Sequence, residues 1–212
     1  MNDLLAQLSS TRPIFYSEAD LQHSLAWQLH LSDPALEIHL EYPTMINGKV
    51  AYIDILARGR RGVTAIELKY KTRLAKVGHN GESYALRDQG AQDHGGYDFL
   101  KDIERLESYV AKTHTKRYAI LVTNDPRYWV SPRTQNTYDA QFRLYEDRLL
   151  AKSLKLKWTG HPSPGTIAGR HAPIVLQHAY TLRWREYSRF DNVKYGRFRC
   201  LVIQVLPART GN

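Results

Sequence analysis

Two apolar runs stand almost back to back in this chain, Val50-Ala51-Tyr52-Ile53-Asp54-Ile55-Leu56-Ala57 and Val63-Thr64-Ala65-Ile66-Glu67-Leu68-Lys69-Tyr70, joined by Arg58-Gly59-Arg60-Arg61-Gly62. Each run is apolar on both faces, the pattern of a strand covered on both sides, and the short Gly-containing link reads as a hairpin turn. Such a hairpin belongs at the centre of a sheet with layers above and below it. Three charges interrupt the runs, Asp54, Glu67 and Lys69. A charge buried in a covered strand is costly unless something pairs with it. Side chains alternate along a strand, so Glu67 and Lys69 share a face. If Arg60 and Arg61 form the turn and Gly59 faces Gly62, Asp54 stands opposite Glu67, roughly 5 Å away Cβ to Cβ. Two opposed carboxylates repel. A hard divalent cation with oxygen ligands, Mg²⁺ or Mn²⁺, turns that repulsion into a binding site with Lys69 as a neighbouring cation. A register slipped by one residue would put the two acids on opposite faces.

The flanking segments supply the layers. Ser17 is placed to cap a helix whose Leu21, Leu25 and Leu29 form one face, with Glu18 at the edge of that stripe. Residues 36–42 read as a first strand closed by Pro43 and the turn Asn47-Gly48. Residues 78–96, rich in Gly, Asn, Asp, His and Gln, read as a mobile loop from which Gln89, Gln92 and His94 could reach a substrate. Residues 97–111 then have the period of a helix with Phe99, Ile103, Leu106 and Val110 inward and its charges on a solvated face. A buried strand over 117–122 follows, so the helix is a crossover between parallel strands. Beyond Pro126 the pattern suggests a helix over 137–150 and strands over 154–158, 174–184 and 198–206. They enlarge the same sheet or cap it. Arg183, Trp184, Arg185 and Tyr187 interleave bases with aromatics, as phosphate- and base-contacting segments do, although packing explains Trp184 as well. Cys200 is the lone cysteine and reads as a buried thiol; it excludes an internal disulfide and a cysteine-ligated cluster. The chain is expected to form one domain over 1–212, with a core at about 14–125 and a C-terminal elaboration at about 126–212.

Ile53-Asp54 followed by Ile66-Glu67-Leu68-Lys69, within this order of elements, resembles the PD-(D/E)xK nuclease superfamily, with Ile53 where the family has proline. That resemblance covers a little over half the chain. It implies an α/β, restriction endonuclease-like fold with an αβββαβ core, a mixed central sheet flanked by helices, and extra C-terminal strands. It also implies a divalent-metal-dependent nuclease hydrolysing DNA phosphodiester bonds. Asp54, Glu67 and the backbone carbonyl of Leu68 would hold Mg²⁺ (or Mn²⁺), Lys69 would be the catalytic lysine, and Glu18 would be a further ligand. The alternative is a non-catalytic nucleic-acid-binding or scaffolding protein of the same fold.

Charge agrees with a polyanionic partner. The chain carries 30 Lys and Arg against 21 Asp and Glu, a net charge of +9. Arg58, Arg60, Arg61, Lys71, Arg73 and Lys76 flank the acids in sequence and are candidate phosphate contacts. No apolar stretch is long enough to span a membrane, and residues 1–12 lack the basic-then-apolar order of a secretion signal, so a cytoplasmic location is expected. Cutting both strands of a duplex with one active site per chain would favour a homodimer.

Overall fold

The structure, a computed structural model, describes residues 1–110 and 114–208. Helices α1 (Asn2–Thr11) and α2 (Glu18–Ser32) precede strands β1 (Glu37–Ile46), β2 (Lys49–Gly59) and β3 (Gly62–Lys71). A small hairpin, β4 (Ala75–His79) and β5 (Glu82–Leu86), leads to α3 (Gln92–Ser108) and β6 (Thr115–Thr123). After that come the short elements β7 (Leu149–Leu150), β8 (Lys155–Leu156), α4 (Pro164–Ile167), β9 (Ile174–Val175) and β10 (Tyr180–Thr181). Two longer strands close the order, β11 (Trp184–Arg189) and β12 (Arg197–Gln204).

The result is an α/β architecture on a mixed six-stranded sheet of order β1-β2-β3-β6-β12-β11. Only β3 and β6 run parallel, with α3 as their crossover. Leu21, Leu25 and Leu29 are buried in α2, and Ser17 caps it by accepting from the Asp20 N–H at 3.1 Å. One face of the sheet packs on α1, α2 and the β4–β5 hairpin through Ile55, Ile66, Leu68 and Ile120. The other packs on α3 and the C-terminal segments through Ile53, Ala65, Ala119 and Leu121. The strand that carries Glu67 is therefore central and covered on both sides, as its apolar pattern demands.

Several expectations need correction. β1 runs through Pro43 instead of stopping there, because β1 is an edge strand whose outward N–H needs no partner. The stretch 78–96 is not a featureless loop. Asn80 (φ 49°) and Gly81 (φ 79°) take the left-handed conformations of a two-residue hairpin turn, and Ala75, Val77, Tyr84 and Leu86 are buried by alternation. Helix α3 starts at Gln92, five residues before the expected 97. Val110, expected inward, lies past its end and is 86% exposed; residue 111, the expected end of that helix, lies outside the described residues. The expected helix over 137–150 is a single 3-10 turn at Ala140–Phe142 followed by β7. Of the C-terminal strands, β11 and β12 extend the sheet beyond β6, while the pairs β7–β10 and β8–β9 are small two-stranded sheets outside it. Trp184 and Tyr187 are buried packing residues, and Trp184 donates its ring N–H to the Leu144 carbonyl at 2.6 Å. Cys200 is buried in β12, where burial pushes its thiol up to about 11. Among the described residues, no helix is long and apolar enough to cross a membrane.

Candidate active site

The β2–β3 ladder runs from Gly59 opposite Gly62 to Ile55 opposite Ile66. That is the register expected from a turn at Arg60-Arg61, and its next step is Asp54 opposite Glu67. Gly62 is needed at the turn, since its φ is 125° and a Cβ there would meet the His114 carbonyl oxygen at 2.2 Å. At Asp54 the ladder stops and the sheet forks. The Leu68 N–H donates to Asp54 Oδ2 at 2.5 Å, and the Tyr70 N–H donates to Glu18 Oε2 at 2.7 Å. Two backbone donors that would otherwise lack partners are thus satisfied by carboxylates, one from β2 and one from the first turn of α2. Gln22, one turn after Glu18, donates from Nε2 to the Asp54 carbonyl at 2.7 Å and to Glu41 Oε1 at 2.8 Å.

The pleat of β1 and β2 inverts at the same point. Leu40 and Ile55 pack toward α2, but Tyr42 and Ile53, two residues away on each strand, pack toward α3. Residues two apart normally share a face. Glu41 has φ 50°, the left-handed region that a non-glycine residue enters only under local constraint. The backbone is therefore bent where the candidate ligand Asp54 leaves it.

Glu67 and Lys69 leave β3 on the face covered by α3, and α3 meets each with a partner. Arg105 Nη2 bonds Glu67 Oε1, and Lys69 Nζ lies 2.8 Å from Asp102 Oδ2 and donates to the Leu68 carbonyl at 3.0 Å. Arg105 Nη2 is also 3.3 Å from Asp102 Oδ1. Asp102 and Arg105 were assigned to a solvated face by the sequence pattern; Asp102 is instead 4% exposed. A signal existed in hindsight: Asp102, Ile103, Leu106 and Glu107 fall on one side of α3 at three- and four-residue spacing. Nothing in the sequence says that this side meets β3.

Burial dominates the electrostatics. It pushes Asp54 up to about 6, against the Leu68 N–H and Lys69, with Asp102 and Glu18 adding to the rise. Glu67 is held well above the usual carboxylate range by burial, then by Asp102, with Arg105 opposing. Burial also raises Asp102, against Lys69 and Arg105. For Lys69 burial works against the charge, but Asp102, Glu18 and Asp54 outweigh it and hold the ammonium above its ordinary value. Loss of solvent, more than any neighbouring charge, is what holds these carboxylates up.

Compared with known proteins, the chain matches no family model, no curated protein and no solved structure. The site must therefore be judged on its own chemistry. Glu67 Oε2 is buried without a hydrogen-bond partner. The Leu68 carbonyl shares an edge of β3 with the Leu68 N–H, which faces Asp54. Asp54, Glu67 and the Leu68 carbonyl offer oxygen atoms, the ligand type that a hard divalent cation takes. Among the described residues, no group of three or more His, Cys, Asp or Glu side chains is positioned to hold a metal ion, so carboxylates alone do not complete a site.

The basic residues fall into two groups. Arg58, Arg60 and Arg61 lie at the turn end of the hairpin, and with Tyr42, Tyr109 and His114 they line a concavity of about 770 Å³. Arg61 is six residues from Glu67 along β3, roughly 20 Å at 3.3 Å per residue. Lys71, Arg73 and Lys76 lie at the opposite end of β3. Arg58 donates to Tyr42 Oη at 2.7 Å, and Arg73 pairs with Asp88 at 3.3 Å. Arg60, Arg61, Lys71 and Lys76 form no ion pair with a described residue. Gln89 and Gln92 are structural: Gln89 Oε1 accepts from the Thr72 N–H, and Gln92 donates to Asp125. His94 lines a separate cavity of about 1220 Å³ beside the first turn of α3, which includes none of the forked-site residues.

Proposed function

We propose that the protein is a divalent-metal-dependent nuclease that hydrolyses DNA phosphodiester bonds, built on a restriction endonuclease-like core. The observation that carries this is the fork: where β2 leaves β3, the Leu68 and Tyr70 N–H groups of β3 donate to the carboxylates of Asp54 and Glu18, with Glu67 and Lys69 on either side of Leu68. With the β4–β5 hairpin as an insertion between β3 and α3, the order α2-β1-β2-β3-α3-β6, with β3 and β6 parallel, agrees with the core order the resemblance implies.

Asp54, Glu67 and the Leu68 carbonyl would hold Mg²⁺ or Mn²⁺, with Glu18 behind them fixing the β3 backbone at Tyr70. A bound cation would polarise the scissile phosphate and lower the pKa of a coordinated water. Asp102 fixes the Lys69 ammonium beside the Leu68 carbonyl, where it can orient the attacking water or offset charge that builds on the phosphate in the transition state. Lys71, Arg73 and Lys76 continue positive charge beyond the C-terminal end of β3 for the strand to follow, and the Arg58, Arg60 and Arg61 concavity offers phosphate contacts further away.

The test is cleavage of plasmid, single-stranded and branched DNA in Mg²⁺, Mn²⁺ and EDTA. Metal-dependent cutting is expected, with Asp54→Ala, Glu67→Ala and Lys69→Ala each abolishing it. Full activity in any of these variants removes that residue from the scheme.

One observation favours a second function, DNA binding or scaffolding without turnover. Glu67 with Arg105 and Lys69 with Asp102 already balance two negative charges with two positive ones. Chelator-insensitive DNA binding with no nicking in either metal would support it and remove the nuclease.

A further inference from the structure

Glu67 is 1% exposed and, among the described residues, accepts from Arg105 alone, while its second oxygen has no partner. Arg105 is itself incompletely satisfied in this position, because its Nε is buried with no hydrogen-bond partner. The two cations facing β3 differ in their hold. Lys69 has a carboxylate at 2.8 Å, a carbonyl at 3.0 Å and a side chain 18% exposed. Arg105 has Glu67 and, at 3.3 Å, Asp102, but its side chain is 32% exposed, at the solvent edge of α3.

A divalent cation on Glu67 would put two like-charged groups on one carboxylate in a poorly solvated place, where they exclude each other. The group free to leave is Arg105, because its side chain already reaches solvent.

We propose that Arg105 and the divalent cation compete for Glu67: Arg105 holds the carboxylate in the metal-free protein, and metal uptake sends the guanidinium to the surface, where it contacts a DNA phosphate. Asp102 is the positioning residue that keeps Lys69 in place through the exchange. This rests on the metal-dependent nuclease proposed above. Release costs Arg105 its bond to Glu67 and its pairing with Asp102 at 3.3 Å but frees its buried Nε, and a planar guanidinium binds phosphate through two parallel N–H bonds. Metal loading and DNA engagement are then coupled through one side chain.

Mn²⁺ titration by calorimetry on the whole chain, at fixed pH and salt, tests the exchange. Arg105→Gln should bind Mn²⁺ about tenfold tighter than the wild type, within the usual range for coupled sites. Arg105→Lys should fall between them, because an ammonium lacks the fork that grips the carboxylate. Glu67→Gln should weaken Mn²⁺ binding at least as strongly. In parallel, the Arg105 guanidinium N–H signals in ¹⁵N NMR should be protected in EDTA and become fast-exchanging on addition of Mg²⁺. That readout uses the wild type, so it decides the matter even if Arg105→Gln fails to fold. Equal Mn²⁺ affinity in the wild type and Arg105→Gln, both still dependent on Glu67, overturns the competition and leaves the nuclease standing. Absence of Glu67-dependent Mn²⁺ binding in every variant overturns both.

Discussion

Two glutamates are buried against the same helix, and they are satisfied in opposite ways. Glu107, 2% exposed on α3, accepts from the Gln177 N–H at 2.7 Å, the His178 N–H at 3.0 Å and the Tyr180 hydroxyl at 2.8 Å. Those three donors pin the C-terminal segments onto α3. Glu67, equally buried on β3, has one half-buried guanidinium and, among the described residues, no partner for its second oxygen. A buried acid that serves the fold collects fixed donors on both oxygens, because an unmade bond in a dry place costs stability. An acid left short of donors marks a place where stability has been given up, which is common at functional sites.

The difference is sharpest in catalysis. Glu67→Gln should lower metal-dependent cleavage by at least about 100-fold, a typical loss when an electrostatic group at a reacting centre is removed. Glu107→Gln, where folded, should cleave within a few-fold of the wild type. Equal losses in a plasmid-nicking assay would show that the two acids are not different in kind.

Stability should invert that order. Glu107→Ala leaves three donors unpaired, at about 1–3 kcal/mol each, so urea unfolding should show a loss of roughly 3 kcal/mol or more. Glu67→Gln in EDTA should cost less than Glu107→Ala, since the amide keeps an oxygen for Arg105, which also pairs with Asp102 and reaches solvent. A loss at Glu67 as large as that at Glu107 would make both acids structural.

Asp54 gives a smaller, pH-dependent effect. Its folded pKa, about 6, lies above the ordinary aspartate value of 3.8, so the folded state holds its proton more tightly than the unfolded state. Stability therefore falls as pH rises from about 4 to about 6, and the full penalty, on the order of 2–3 kcal/mol, is present above that. Asp54→Asn keeps an oxygen for the Leu68 N–H and lacks the charge. In EDTA it should melt a few degrees above the wild type at pH 7.5, with the gap closing toward pH 4. A gap independent of pH would show that the ionised carboxylate is not what costs stability.

The least sensitive test concerns the two basic groups. Replacing Lys71 or Arg61 by Ala should each reduce the slope of log binding constant against log salt by about 0.9 if both ends of β3 contact DNA. A change for Lys71 alone would confine the DNA to the end near Arg73.

Much of the site was legible in the chain itself. Gly59, Arg60, Arg61 and Gly62 imply the hairpin register, and that register makes Asp54 the next residue opposite Glu67. Ser17 and the leucine stripe of α2 place Glu18 on the first turn. The β4–β5 hairpin was also readable, from Asn80-Gly81 between alternating Ala75, Val77, Tyr84 and Leu86, but polar composition hid it. Asp102, Arg105 and Gln22 were not legible, because their roles depend on which helix lies over which strand.

Turn chemistry and side-chain alternation act between near neighbours, so the order of residues alone determined the hairpin and its register. Whether Asp54, Glu67 and Lys69 would stand bare or be balanced by other charges depended on residues far along the chain. Only the docking of α3 across β3 decided that, by bringing Arg105 to Glu67 and Asp102 to Lys69 in a place too dry for water to do it instead.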